Sequence, residues 1–209
     1  MNRSVRTIVA TAGLLALIAP ATGSADDKND DRRLRIKLSG FQEVIAPSLS
    51  AATPAVFSAG AGAIFSTGSG RLTLTIDRQN SMIEYELTYS FPDPTPVTGT
   101  QFVNQAHLHF GQKHTTGGIN VWLCQSADNP APATVAAATP MCPNPSGTVS
   151  GTIRPGQVIA LPGQAFPTGE DGFDALLEAL RSDTIYGNVH TDRFPSGEIR
   201  GQFGGRDDD

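Results

Sequence analysis

Apolar and polar side chains alternate with a period of two along much of the chain. Leu34, Ile36 and Leu38 alternate with Arg35 and Lys37, and Leu72, Leu74 and Ile76 alternate with threonines. Ile83, Tyr85, Leu87 and Tyr89 alternate in the same way with Glu84, Glu86 and Thr88. Successive strand residues point to opposite faces, so each run predicts a strand with one buried and one wet side. The polar stretch Asp77-Arg-Gln-Asn-Ser81 predicts a turn that joins strands over 70–77 and 82–90 into an antiparallel hairpin. Further strands are expected at Ala61–Ser66, Val103–Phe110, Ile119–Cys124, Gly147–Ile153, Thr184–His190 and Glu198–Phe203. This succession predicts an all-β fold, a Greek-key-like β-sandwich or flattened barrel, rather than alternating strands and helices.

The period changes once, in the C-terminal third. Phe173, Leu176, Leu177 and Leu180 fall on one helical stripe between Asp171 and Arg181, with Asp171 placed to cap the first free amides. The spacing predicts one short helix of about ten residues covering an open end of the sheets. Segments rich in Pro or Gly, notably Phe91–Pro96 and Pro155–Gly169, are expected to be linkers.

The N-terminus changes the picture of where the fold begins. Arg3 and Arg6 precede an apolar run from Ile8 to Ala19, and Gly23 and Ala25 suit the −3 and −1 positions of a cleavage after Ala25. Residues 1–25 are therefore expected to be a signal peptide, too short in its apolar part for the roughly 20 residues of a membrane span. The expected product is periplasmic or secreted, with no membrane anchor. Its charged ends, 26–33 and 204–209, are expected to be a flexible N-terminal segment and an acidic tail around a single domain over 34–203. The 13 basic and 20 acidic side chains beyond residue 25 argue against a nucleic-acid partner, whose backbone rewards clustered cations. A protein or surface partner remains open.

Export also decides the reading of Cys124 and Cys142, the only cysteines. In an oxidising compartment they are expected to form a disulfide. The Ala- and Pro-rich stretch between them contains little that would order it otherwise, so the bridge is expected to staple a long surface loop.

Chemistry concentrates in the histidines. His107 and His109 share one strand face, and Asn188 and His190 share a face of another predicted strand that could lie beside it. Three imidazoles could hold copper or zinc at about 2.0–2.1 Å, with a fourth position left for water or a carboxylate. Asn188, Glu198 and Gln202 are the candidate partners that would orient the ligands. The alternative is a hydrogen-bond network of the imidazoles with Asn188, Glu198 and Arg200, which share strand faces, locking the last hairpin to the His107 strand. His114, in a predicted loop, is expected to face solvent. Ser39, Ser146 and Ser196 stand in no nucleophile elbow, and Glu84 and Glu86 belong to a wet strand face. No glycine pattern frames a phosphate loop. Trp122, Tyr186, Phe102 and Phe194 are expected in the core or at its margin, with Phe194 the better exposed.

Several of these runs together resemble the CHRD (chordin-type) domain, in the form found in exported bacterial proteins. The matching pieces are Ile36-Lys-Leu-Ser-Gly-Phe-Gln-Glu-Val44, Gly70-Arg-Leu-Thr-Leu74, Ile83-Glu-Tyr-Glu-Leu87, Gln105-Ala-His-Leu-His109, Ser146-Gly-Thr-Val149 and the long block Ile185 to Gln202. Ile45 and Ala46 stand where family members usually carry prolines after the Gln-Glu-Val element, and the cysteine segment is longer than usual. The resemblance implies an all-β fold and no established activity. The His-X-His strand is also similar to the metal strand of copper/zinc superoxide dismutases, but the long ligand loop of those enzymes has no match here. Three readings stay open: an exported non-catalytic β-domain binding copper or zinc through His107, His109 and His190; a metal-dependent oxidoreductase or hydrolase using the same histidines; and a structural or protein-interaction domain with a histidine network.

Overall fold

The computed structural model describes residues 32–45, 62–93 and 102–204. Eight strands form one antiparallel sheet: β1 (Arg32–Ser39), β2 (Ser69–Asp77), β3 (Met82–Ser90), β4 (Val103–Phe110), β5 (Gly118–Cys124), β6 (Gly147–Ile153), β7 (Ile185–Thr191) and β8 (Ile199–Gln202). Their spatial order is β5-β4-β7-β8-β1-β2-β3-β6. β1 to β3 form a meander, and β6 returns to lie beside β3. The β8–β1 ladder contains a single residue pair, Ser39 with Arg200, so the sheet folds there into two four-stranded halves. The seam between the edge strands β5 and β6 is bridged by Tyr85 on β3, whose hydroxyl donates to the Leu123 carbonyl on β5 at 2.8 Å. Gly151 on β6 lies opposite Tyr85, and a Cβ there would stand 2.6 Å from the tyrosine oxygen, so only glycine leaves the passage open. The result is the expected flattened, nearly closed barrel.

Period-two alternation explains the core. Leu72, Leu74, Leu87, Leu108, Val189, Ile199 and Phe203 point inwards and are almost fully buried. On the other face, β1 to β3 expose Arg33, Arg35, Lys37, Glu84 and Glu86, so the two glutamates are solvated as expected. The helix α1 (Gly169–Arg181) buries Phe173, Leu176, Leu177 and Leu180 against the same core. It begins earlier than the stripe implied. Thr168 holds the N-cap position, and Glu170 and Asp171 lie in the first turn, where their charge opposes the exposed amide dipoles. Asp171 is therefore not the cap.

Two strand expectations change. Residues 62–66 carry no strand; Ile64 instead donates to the Gly40 carbonyl at 2.8 Å, bracing a 3-10 turn over Gly40–Gln42. β1 starts at Arg32, so Arg32 and Arg33 belong to the sheet and not to a flexible segment. The expected signal peptide and all but the first residue of the expected acidic tail lie outside the described residues.

Cys124 and Cys142 form a disulfide. The loop they enclose has more internal order than its composition suggested. The Gln125 side chain donates to the carbonyls of Ala136 and Thr139 and accepts from the Ala131 amide, so a single amide group gathers the loop around itself. No described helix is long and apolar enough to cross a membrane.

Candidate metal centre

The outer face of β4, β7 and β8 should be wet by the same alternation that exposes β1 and β3. It is covered instead. All seven residues of β7 are buried, because loops from both ends fold over the sheet. His107 lies opposite Asn188, and His109 opposite Tyr186, in the β4–β7 register, with Asn188 opposite Arg200 across β7–β8. A polar layer of His107, His109, Tyr186, Asn188, His190 and Arg200 therefore lies outside the hydrophobic core but away from water.

Hydrogen bonds fix which nitrogen of each ring carries the lone pair. His109 Nδ1 lies 3.0 Å from the Gly117 carbonyl, and His190 Nδ1 lies 2.9 Å from the Pro195 carbonyl. A carbonyl only accepts, so both Nδ1 atoms carry hydrogen and both Nε2 atoms present lone pairs. His109 Nε2 is buried and makes no well-formed hydrogen bond, although the Asn188 amide lies beside the ring. His107 Nδ1 approaches His190 Nε2 at 3.2 Å, and His107 Nε2 is also buried without a partner. Trp122 packs its ring against His107 at 4.3 Å, roughly perpendicular, and closes that side of the layer.

One ligand atom from each of the three histidines lies within 4.8 Å of the others. Burial pushes all three imidazoles down, His107 well below its ordinary value and His109 and His190 to about 4, so the rings are neutral at pH 7 and their lone pairs are available. A tetrahedral metal with bonds of about 2.0–2.1 Å spaces its ligand atoms about 3.3 Å apart. The 3.2 Å His107–His190 contact is a hydrogen bond in which His107 Nδ1–H donates to His190 Nε2, so the free lone pair of His107 lies on Nε2.

The charged residues divide differently from the sequence expectation. Glu198 does not share a network with Arg200. Its two oxygens accept from Ser66 and Thr191, each at 2.6 Å, on the far side of the β7–β8 turn. Arg200 donates to the carbonyls of Thr115 and Gln112 and pins the 111–117 loop over the site. Its guanidinium also stacks 3.4 Å over the Tyr186 ring, which in turn lies parallel to His109 at 4.7 Å. Gln202 accepts from Arg200 and donates to the carbonyls of Gly111, Asp183 and Ile185, so it supports Arg200 rather than an imidazole. His114 is exposed, as expected.

The carboxyl group nearest this layer is one that strand alternation does not reveal. Glu43, just after the 3-10 turn, is buried, accepts from the Val44 amide at 3.0 Å and lies beside Asn188. Burial raises its pKa to about 7 against the lowering effects of Val44, Arg200 and Asn188.

Over residues 34–203 the sequence matches the family model of the CHRD domain. The chain belongs to the CHRD domain family. No curated protein and no solved structure matches it. The match encloses every residue of the site, from Glu43 through His107, His109 and His190 to Gln202. The loops that seal this CHRD domain's polar layer, 111–117 and 192–198, lie within the match as well. The imidazoles bond to one another and to backbone carbonyls, with Asn188 Oδ1 3.0 Å from His190 Nε2, an arrangement that supplies ligands rather than a nucleophile with its base. This is a β-domain with a histidine cluster suited to metal coordination. Glu43 was legible only as one acid in the Gly-Phe-Gln-Glu-Val run; its position between Gln42 and the apolar pair Val44-Ile45 was the one available signal.

Proposed function

We propose that this CHRD domain is an exported protein, periplasmic or secreted, that binds one divalent cation, zinc or copper, through His107, His109 and His190. The observation that carries the reading is the pair of buried, unpartnered nitrogens, His107 Nε2 and His109 Nε2, in a cluster whose ligand atoms lie within 4.8 Å of one another. Leaving buried polar atoms unpaired costs roughly 1–3 kcal/mol each, and a metal ion that takes up lone pairs in the cluster offsets that cost. The donor set is borderline and nitrogen-rich, which suits zinc and copper better than calcium or magnesium. Export is supported by the leader-like residues 1–25 and by the disulfide.

A second reading has its own observation. Each ring already makes one hydrogen bond, so the cluster also serves as a lock between β4 and the β7–β8 hairpin. Calorimetric titration with Zn²⁺ and Cu²⁺ separates the two. Metal binding predicts one site per chain, a sharp loss of affinity in His107→Ala and His190→Ala, and little change in His114→Ala. Absence of binding, or binding that survives loss of both His107 and His190, leaves only the lock.

A further inference from the structure

We propose that the Asn188 amide oxygen is the fourth ligand, making the centre a closed N3O site that holds a structural ion rather than an open site that activates water. The inference rests on the metal-binding reading above and identifies what occupies the position the three imidazoles leave.

The key contact is between His190 Nε2 and Asn188 Oδ1, 3.0 Å apart and buried. His190 Nδ1–H is committed to the Pro195 carbonyl, so Nε2 presents a lone pair, and the amide oxygen presents another. Two lone pairs at that distance repel each other, and a cation bound between them removes the repulsion. The same distance is close to the roughly 3.3 Å that separates two ligands of one tetrahedral ion. His107 Nδ1 stands 3.2 Å from the same His190 nitrogen. His190 Nε2 and Asn188 Oδ1 thus outline one edge of a coordination tetrahedron, and the unpartnered His107 Nε2 and His109 Nε2 are the lone pairs left for the other corners.

The other end of the amide is held in place. A Cβ added to Gly197 would lie 2.5 Å from Glu43 Oε2 and 2.8 Å from Asn188 Nδ2, so both side chains close over this one residue. Gly197 also adopts a φ of +121°, which side-chain-bearing residues rarely reach. The glycine leaves room for the carboxyl group beside the amide NH2 end, without a well-formed hydrogen bond between them, and the carbonyl oxygen lies towards His190. Turning the amide over would set its oxygen against the Glu43 carboxyl group whenever that group is ionised. Glu43 is in this way a positioning residue and Asn188 a ligand. Four protein ligands leave no coordination position for water, the arrangement of a structural ion and not of a catalytic one.

Replacement by Co²⁺ reports both coordination number and access. Wild-type protein loaded with Co²⁺ is expected to show the intense visible bands of a four-coordinate ion and no change on addition of azide. Asn188→Ala is expected to bind Zn²⁺ about 10- to 100-fold more weakly and to acquire an azide-dependent spectrum, because a position has opened. Asn188→Asp, which keeps an oxygen in place, should retain the azide-insensitive spectrum and supplies the test if the alanine variant does not fold. A wild-type spectrum that shifts with azide overturns the closed site while leaving metal binding standing, as does an Asn188→Ala variant with unchanged affinity and spectrum. A wild-type protein that takes up neither Co²⁺ nor Zn²⁺ overturns the metal reading and this inference together.

Discussion

At the scale of the residue, the site depends on burial without compensation by charge. His109, Tyr186 and Arg200 form a stack in which the tyrosine ring offers one face to the imidazole and the other to the guanidinium. Glu43 is held against its preference for water, and its pKa is raised from 4.5 to about 7 by burial. A carboxyl whose folded-state pKa is raised binds its proton more tightly in the native state, so its contribution falls as pH rises from about 4.5 through about 7. Glu43→Gln is therefore expected to stabilise the metal-free protein by roughly 1–3 kcal/mol at pH 8 and to change little at pH 5. Urea unfolding at the two pH values measures this, and a variant that is less stable at pH 8 contradicts it. The period-two rule made His107, His109, Asn188 and His190 legible because all four lie inside strands. It failed for Glu198, which precedes β8 and follows Gly197, so the turn and not the strand sets its direction. It gave no warning of Glu43, which follows a 3-10 turn where alternation has no meaning.

At the scale of the element, α1 and the disulfide loop are both covers for the barrel, held by different means. The helix is held by apolar burial. Leu176 is fully buried at the centre of its stripe, so Leu176→Ala is expected to cost roughly 2–5 kcal/mol, as transfer free energy plus the cavity left behind. Chemical denaturation checks the value; a loss below about 1 kcal/mol would mean that the helix docks without packing into the core. The loop is held by Cys124–Cys142 and by the three hydrogen bonds of the Gln125 amide. Cys124→Ala is expected to cost roughly 2–4 kcal/mol and no more, because the bridge closes a loop that Gln125 also gathers. Reaction with a thiol label before and after reduction, followed by denaturation, tests both statements. The helical stripe was readable from four apolar residues at helical spacing. The order in the loop was not, because it comes from the Gln125 side chain and from turns whose partners are backbone groups that leave no mark in the sequence.

At the scale of the whole molecule, the sheet has two outer faces of opposite character. The β1–β3 face is wet, and the β4–β7–β8 face is sealed by the loop that follows β4 and the turn that follows β7, folded back over their own strands. Strand pattern showed the first directly, whereas nothing local in the sequence says that a polar face will be covered. The covering sets the pH response of the metal-free protein. Three imidazoles with lowered pKa values bind protons less readily when folded, so their contribution is complete above about 6.5 and is lost as pH falls towards 4. Glu43 acts with the opposite sign over about 4.5 to 7, and three groups outweigh one. Stability is expected to fall on acidification between pH 6.5 and 4.5, with a net uptake of about two protons on unfolding near the middle of that range. Unfolding free energies measured across that interval with chelator present should show this slope, and a flat or inverted profile would mean that the histidines are not buried as neutral rings.

The most direct test of metal binding is the metal content of untagged protein after equilibration with Zn²⁺ or Cu²⁺ and removal of free ions by gel filtration. The cluster predicts close to one ion per chain, falling to a trace in the His107→Ala, His190→Ala double variant, with chelator lowering the unfolding midpoint of the wild type alone. Wild-type protein that emerges with no more metal than the double variant, and with the same midpoint with and without chelator, would contradict it.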